Sequence, residues 1–360
     1  MLWKSVHFQG CRREVERRPP YLHRRWNVRF GCGLHQNEPL IQTTTPGLIF
    51  PGVSKRFFFL ILVSAWIDNN FPLVFLALLD GSVTAFVLAL IALGLSLVFG
   101  VMRVVNVAHG EFFMLGAVLA WACFHFTGNM PLLGFLLALI VAPVFVGGLA
   151  MLSDRLILHR IQYNPESTIV ATIGLLYIIQ QLVLTFFGPE ARPVEAPIYF
   201  RVQFPWFGYS GYKLIVAGLS GVLLLGTWFL MVRSKLGLYM RATQQDAETA
   251  RTFGVPTKSV YSKVFAIGAG LAALAGVLVV PIRQADYLMG LEPLLLSFIV
   301  VIIGGLGSIR GTLVAAFIVG ISDGFISVFY EPTLAKMLAT VLVAAVLVLK
   351  PTGLFGEETR

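Results

Sequence analysis

Charge is scarce in this 360-residue sequence. Asp, Glu, Lys and Arg make up 12% of it, against about 25% in a soluble domain, which excludes an ordinary globular fold in water. The apolar stretches also lack alternation of apolar and polar residues, which excludes a transmembrane β-barrel. Cysteine is nearly absent: Cys11, Cys32 and Cys123 show neither metal-ligand spacing nor an evident pairing. There is no G-x-x-x-x-G-K-[ST] loop to cradle a phosphate, no H-E-x-x-H and no Cys/His metal set. Nor do Ser, His and Asp cluster in a usable context. These absences argue against an enzyme, and no metal site or cofactor is expected in the chain.

What is abundant is apolar sequence. Hydrophobic residues make up 57%, in several runs near the length of about 20 residues that crosses a bilayer as a helix. Lipid admits only helices or closed barrels, so the expected fold is all-α: a polytopic helical membrane bundle of about 8–10 transmembrane helices. Long spans are predicted near 82–102, 109–126, 132–153, 168–187, 212–232, 258–280, 312–329 and 334–349. A shorter apolar piece, 294–303, precedes a glycine cluster. A weaker lead-in at 57–81 has its apolar stretch, 57–79, interrupted by Asp68, Asn69, Asn70 and Pro72, and the transporting body is expected over 82–356.

The net charge of +9 is unevenly spread. Residues 1–56 hold ten Lys/Arg and three Asp/Glu, whereas residues 57–360 hold 17 and 15. The arm has Pro and Gly breakers and no apolar period. It reads either as a basic segment for anionic lipid or nucleic acid, or as a disordered extension, including one produced by a start assigned too early. The second is the expectation, with no nucleic-acid partner. The stretch Phe57–Trp66 lies too far from the start for a signal peptide.

Lys/Arg asymmetry orients the spans. Residues 233–263 contain Arg233, Lys235, Arg241, Arg251, Lys258 and Lys263, so this side is cytoplasmic. Counting outward from it places Arg155, His159, Arg160, Arg310 and Lys350 inside as well. The loop 188–211, Arg283 and Asp286 fall outside.

Three polar segments stand out. In "RATQQDAETARTFGVPTKS" (241–259), Thr243 followed by Asp246 resembles a capping box, and Gly254 with Pro256 stops a helix. Ala247, Ala250 and Gly254 share one face; Gln244, Glu248 and Arg251 share another. A short cytoplasmic helix near 243–254 either docks into a groove on a soluble partner or only anchors the loop at the interface. In "VMRVVNVAHGEFFMLGAV" (101–118), Arg103, Asn106, His109 and Glu111 interrupt membrane-grade sequence. They either terminate two helices, with Arg103 and Glu111 opposing the macrodipoles, Asn106 as a cap and Gly110 permitting a tight or left-handed backbone, or line a translocation path. In the third, Gly304, Gly305, Gly307 and Gly311 allow close packing, with Gly307-x-x-x-Gly311 as a helix face, or a turn in a discontinuous helix. Asp323 within a span either faces a polar cavity or bonds between helices. Arg283, Asp286 and Tyr287 form an external end that either docks a binding protein or is an ordinary solvated loop.

Two resemblances follow from these residues. Glu248-Thr249-Ala250-Arg251-Thr252-Phe253-Gly254 looks like the E-A-A-x-x-x-G motif of ABC importer permeases, with Thr249 for the first Ala. The Ile-x-Leu-Pro that follows in the best-known classes is missing; Val264, Phe265, Ala266 and Ile267 stand there. More specifically, residues 94–121 resemble the permease family of branched-chain amino acid ABC importers, the LivH type. The shared pattern runs through Gly94, Leu95, Phe99, Gly100, Asn106, Ala108, His109, Gly110, Gly116 and Ala117. "FAIGAGLAALAGVL" (265–278), "VIIGGLGSIRGTLVAAFIVG" (301–320) and the final "KPTGLFG" agree, so the resemblance covers about 72–356 and leaves the arm out.

The resemblance implies a membrane subunit of a bacterial inner-membrane importer. Its partners would be a second homologous permease, two ABC ATPase subunits that bind ATP and Mg, and an extracytoplasmic substrate-binding protein. ATPase coupling would fall to Thr243, Asp246, Ala247, Glu248, Ala250, Arg251 and Gly254. The cargo would be a branched-chain or other small amino acid, with urea or a short amide as the alternative. A stand-alone secondary transporter or channel would need paired intramembrane ionisable groups, in which the spans are poor.

Overall fold

The computed structural model describes residues 55–350 and 353–355, so the arm expected to be an extension lies, except for Lys55 and Arg56, outside the described residues. The described residues form α1 (Lys55–Met102), α2 (His109–Phe126), α3 (Pro131–Ser153), α4 (Pro165–Phe187), α5 (Gly211–Arg233), α6 (Lys235–Gln245), α7 (Ala247–Thr252), α8 (Thr257–Val279), α9 (Leu291–Gly304), α10 (Ile309–Phe329) and α11 (Pro332–Leu349). α3 continues into a π-helical turn at Asp154–Leu158. An antiparallel hairpin, β1 (Arg201–Gln203) with β2 (Gly208–Ser210), folds the loop between α4 and α5 and pairs Arg201 with Ser210.

Every long apolar run predicted as a span is a helix. The lead-in is corrected. It is not a separate broken segment but the first half of α1, a single 48-residue helix with Pro72 inside it. A proline removes only its own N–H from the ladder, and a membrane helix tolerates this where neighbouring groups satisfy the freed carbonyl. The expected boundary at 81/82 therefore falls in mid-helix. Among the described residues, α1, α3 with its π turn, α4, α5, α8 and α10 contain stretches long and apolar enough to cross a membrane, whereas α9 and Pro332–Leu342 of α11 are shorter apolar pieces.

α2 is different. It carries His109, Glu111 and His125 and is enclosed by protein over most of its length, up to about Cys123, with α3 and α8 packed along it. The contact is backbone to backbone. A Cβ on Gly116 would lie 2.1 Å from the carbonyl oxygen of Ala273, and one on Gly276 would lie 2.1 Å from that of Phe113. In lipid no hydrophobic force drives helices together, so small residues that let backbones touch supply much of the packing. Around these contacts Phe112 meets Phe265 edge-on at 5.9 Å, and both are fully buried.

α9, α10 and α11 pack on one another, and Leu88, Ala92 and Leu95 of α1 share a buried cluster with Val300, Ile303 and Ala316. The outer faces of α3, α4 and α5 expose Val144, Val170, Tyr177, Leu225 and Phe229. Water would penalise such faces, but acyl chains do not. The structure is a polytopic helical membrane bundle.

Candidate functional site

The three polar segments meet at the basic end of the bundle. α1 stops at Met102, and Arg103 turns the chain in a left-handed conformation (φ 54°). Its guanidinium donates to the carbonyl of Gln244 at 3.3 Å. That carbonyl belongs to the last turn of α6, where a cation opposes the negative helix end. The side chain of Gln244 in turn donates to the carbonyl of Gly307 at 3.2 Å. Gly307 lies in the turn between α9 and α10 at φ 81°, and a Cβ there would sit 2.9 Å from the Cα of Gly100 in α1. Thus the end of α1, the end of α6 and the glycine turn form one junction.

Within the interrupted stretch, Asn106 is buried and its Oδ1 accepts from the N–H of Ala108 at 3.1 Å. It serves the helix start from two residues ahead, since the residue at the cap of α2 is Ala108. Gly110 is not left-handed, contrary to one reading of it. It is an ordinary helical residue whose missing side chain admits the carbonyl of Gly290, 2.3 Å from where a Cβ would be. His109 is buried and its Nε2 bonds to the carbonyl of Ile91 at 3.0 Å, which makes that nitrogen the protonated one. Glu111 is wholly buried, and neither carboxyl oxygen has a partner among the described residues.

The glycine block also needs a correction. Gly307 and Gly311 do not form one helix face, because Gly305 (φ 102°) and Gly307 are turn residues. Gly311 packs instead against Gly304 across the turn, where a Cβ would meet the Gly304 carbonyl at 1.9 Å. Ser308 starts α10 by accepting from the N–H of Gly311 at 3.2 Å. The C-terminal segment closes the other side: Leu354 and Phe355 donate backbone N–H groups to Ile303 and Gly304 at 2.8 and 3.1 Å, satisfying the end of α9. α9 is therefore a short helix followed by a closely packed glycine turn.

The short polar helix begins later than the capping-box reading places it. Thr243 is buried inside α6, and Asp246, in extended conformation (φ −154°), is itself the cap of α7. Its Oδ1 accepts from the N–H groups of Glu248 and Thr249 at 2.9 and 3.1 Å, and its Oδ2 accepts from the Thr249 hydroxyl. These bonds, the Thr249 hydroxyl first, with Arg103 nearby, hold the Asp246 carboxyl below its ordinary range. Ala250 is buried under the helix; Glu248, Arg251 and Gly254 are exposed, and Ala247 is half-buried. Gly254, at φ 83°, ends the turn that follows α7.

The opposite end of the bundle holds a cavity of about 330 Å³. Val83, Val87, Leu88 and Ile91 of α1 and Leu296 of α9 form its apolar walls, and Asp80, Lys213, Arg283, Glu292 and Asp323 stand around it. Asp80 accepts from Lys213 and from the hydroxyl of Tyr209, each at 2.7 Å. Glu292 pairs with Arg283 at 3.3 Å and with Lys336 at 3.1 Å. Asp323 faces the cavity and has no hydrogen bond or ion pair among the described residues, which decides between its two readings. Asp286 and Tyr287 lie apart from it, lining a small crevice with Trp121 and Arg192.

Residues 77–349 match the sequence family described as branched-chain amino acid transport system / permease component. The chain belongs to this family. The permease is 27% identical to the high-affinity branched-chain amino acid transport system permease protein LivH of Escherichia coli K12, over 75% of this chain and 91% of that one. It is 26% identical to the corresponding BraD protein of Pseudomonas aeruginosa, over 78% and 95%. It also shares 27% identity with the galactofuranose transporter permease protein YtfT of E. coli K12, over 73% and 76%. No solved structure matches the permease significantly.

Sequence reasoning missed several residues of the permease. Gln244 was placed only on a helix face, yet it bridges two segments. Phe253, exposed by 85% in the turn after α7, passed as a variable position of the E-A-A-like motif; its signal was an aromatic ring in an otherwise polar loop. Asp80, Lys213 and Glu292 carry no local motif and were not singled out.

Proposed function

We propose that this permease carries a branched-chain or closely related small amino acid inward across the bacterial cell inner membrane, as the membrane subunit of an ABC importer. A second homologous permease completes the pathway, two ABC ATPase subunits bind ATP and Mg, and an extracytoplasmic binding protein delivers cargo. The chain itself holds no nucleotide. α7 is the coupling helix. Asp246 fixes its start, Glu248, Arg251 and Gly254 face the ATPase, and Ala250 seats it on the bundle, with Ala247 half-buried beside it and Thr243 behind it in α6. ATP-driven closure of the ATPases displaces α6 and α7, and the spans reopen toward the cytoplasm.

The observation that carries this reading is the junction of Arg103, Gln244 and Gly307. A docking helix transmits force only if it is tied to the spans, and here α6 is hydrogen-bonded to the end of α1 and to the glycine turn between α9 and α10. Asn106, His109, Gly110 and Glu111, with Gly304, Gly305 and Gly311, build the turns that this junction would move. The test is reconstitution with the neighbouring ATPase and permease subunits. ATP-dependent uptake of leucine above that of urea is expected. Transport by the purified chain alone, without an ATPase, would overturn it.

A further inference from the structure

We infer that the cavity beside Asp323 is a transient site for a zwitterionic α-amino acid with an aliphatic side chain, on the external half of the permease. The inference rests on the importer reading for its cargo but on separate residues. Three features carry it. The first is polarity: the lining combines apolar Val, Leu, Ile and Phe side chains with charges of both signs. Such a cavity rejects a bare ion and a sugar alike, since neither can satisfy both parts. An α-amino acid brings an ammonium, a carboxylate and an apolar group together.

The second feature is the state of the acids. Asp80 is committed to Lys213 and Tyr209, and Glu292 to Arg283 and Lys336. Asp323 alone among the three is uncommitted, so it accepts the ammonium. The third is the state of the bases. Arg283 holds Glu292 only loosely, at 3.3 and 3.5 Å, and its side chain is more than half exposed. Glu292 keeps Lys336 when Arg283 turns to an incoming carboxylate, so no buried charge is stranded. A volume of about 330 Å³ sits at the lower end of the roughly 300–1,000 Å³ of small-ligand pockets, which suits a single amino acid.

Ser327 also lines the cavity and is half-buried, so it serves as a reporter. In the full-length chain with its three cysteines replaced by alanine, Ser327→Cys is labelled with a maleimide in nanodiscs. Leucine is expected to slow labelling; 4-methylpentanoate, which lacks the ammonium, and isopentylamine, which lacks the carboxylate, are not. Asp323→Asn should weaken protection by leucine about tenfold or more, the cost of losing a charged hydrogen-bond partner, and Asp323→Glu should restore part of it. ATP-dependent leucine uptake by the assembled transporter is measured in parallel. Uptake without protection, or protection indifferent to Asp323→Asn, overturns the site. Protection without uptake keeps the site and sinks the importer reading, and the loss of both sinks both.

Discussion

The side-chain amide of Gln244 donates to the carbonyl of Gly307 at 3.2 Å, while the backbone carbonyl of Gln244 accepts from Arg103 at 3.3 Å. One residue at the end of α6 thereby holds two elements far apart in sequence. Both bonds are accepted by backbone carbonyls, so they report the position of the chain and not merely of side chains. A displacement of α6 must stretch them or carry the α1 terminus and the glycine turn along.

Gln244→Ala removes the amide and leaves the carbonyl for Arg103. The bond is partly solvated, so the variant should lose only about 1 kcal/mol of stability. Its effect on coupling should be larger than its effect on folding. In the assembled transporter, uptake per ATP hydrolysed is expected to fall several-fold while hydrolysis continues. An unchanged ratio would show that the bridge is only structural.

Gly307→Ala attacks the same junction through the backbone. A left-handed conformation costs a non-glycine residue about 1–2 kcal/mol, and here the new Cβ would also stand 2.9 Å from the Cα of Gly100. The melting temperature in detergent should drop clearly. Gly218→Ala in α5 is the matched control: nothing lies within 4 Å of the added methyl, and the substitution should be neutral or stabilise by about 0.5–1 kcal/mol through helix propensity. Equal melting temperatures for the two variants would contradict the packing described.

The helices were readable from apolar run length, and so was the stop at Gly254, because a glycine followed by Val255 and Pro256 leaves little choice of backbone. What a local pattern cannot carry is which partner meets a residue. Gly110 reads equally well as a left-handed hinge or as a point of contact, and only the proximity of Gly290 decides. Thr243 and Asp246 both suit a helix start. The extended backbone at Asp246 selects it, whereas Thr243 is enclosed by tertiary packing. Pro72 looked like a break because propensity penalises it, but a long apolar helix continues past one missing donor. The cavity was invisible for the same reason: its charged residues come from α1, α5, α9, α10 and the turn after α8, and each by itself is an ordinary polar residue.

Asp246 gives a pH dependence with a definite sign. Its folded-state pKa is depressed by the bonds it accepts, so the cap contributes to α7 above the ordinary carboxylate range and is lost as pH falls through the depressed value. Hydrogen exchange at the amides of Glu248 and Thr249 should therefore be slow and flat at neutral pH, and faster, after correction for intrinsic rates, under acid. Asp246→Asn keeps a capping oxygen and should abolish the acid step while preserving neutral protection. Asp246→Ala should lose protection at every pH. A step that persists in the Asn variant would have to come from another group.

Phe253 separates docking from folding. Its ring is exposed by 85% next to α7, so Phe253→Ala should leave the melting temperature of the isolated permease almost unchanged, as surface substitutions shift stability by about 0.5 kcal/mol or less. Aromatic side chains that insert into a partner's pocket are typically worth about 2 kcal/mol when truncated, or roughly 30-fold in affinity. Titrating purified ATPase onto the permease in nanodiscs should show that loss for Phe253→Ala and near-normal binding for Phe253→Trp, which keeps a large flat ring. Equal affinity of the alanine variant and the parent would remove Phe253 from the interface. A matching fall in melting temperature would assign it to the fold instead, because a ring that stabilises the isolated chain cannot be facing only water.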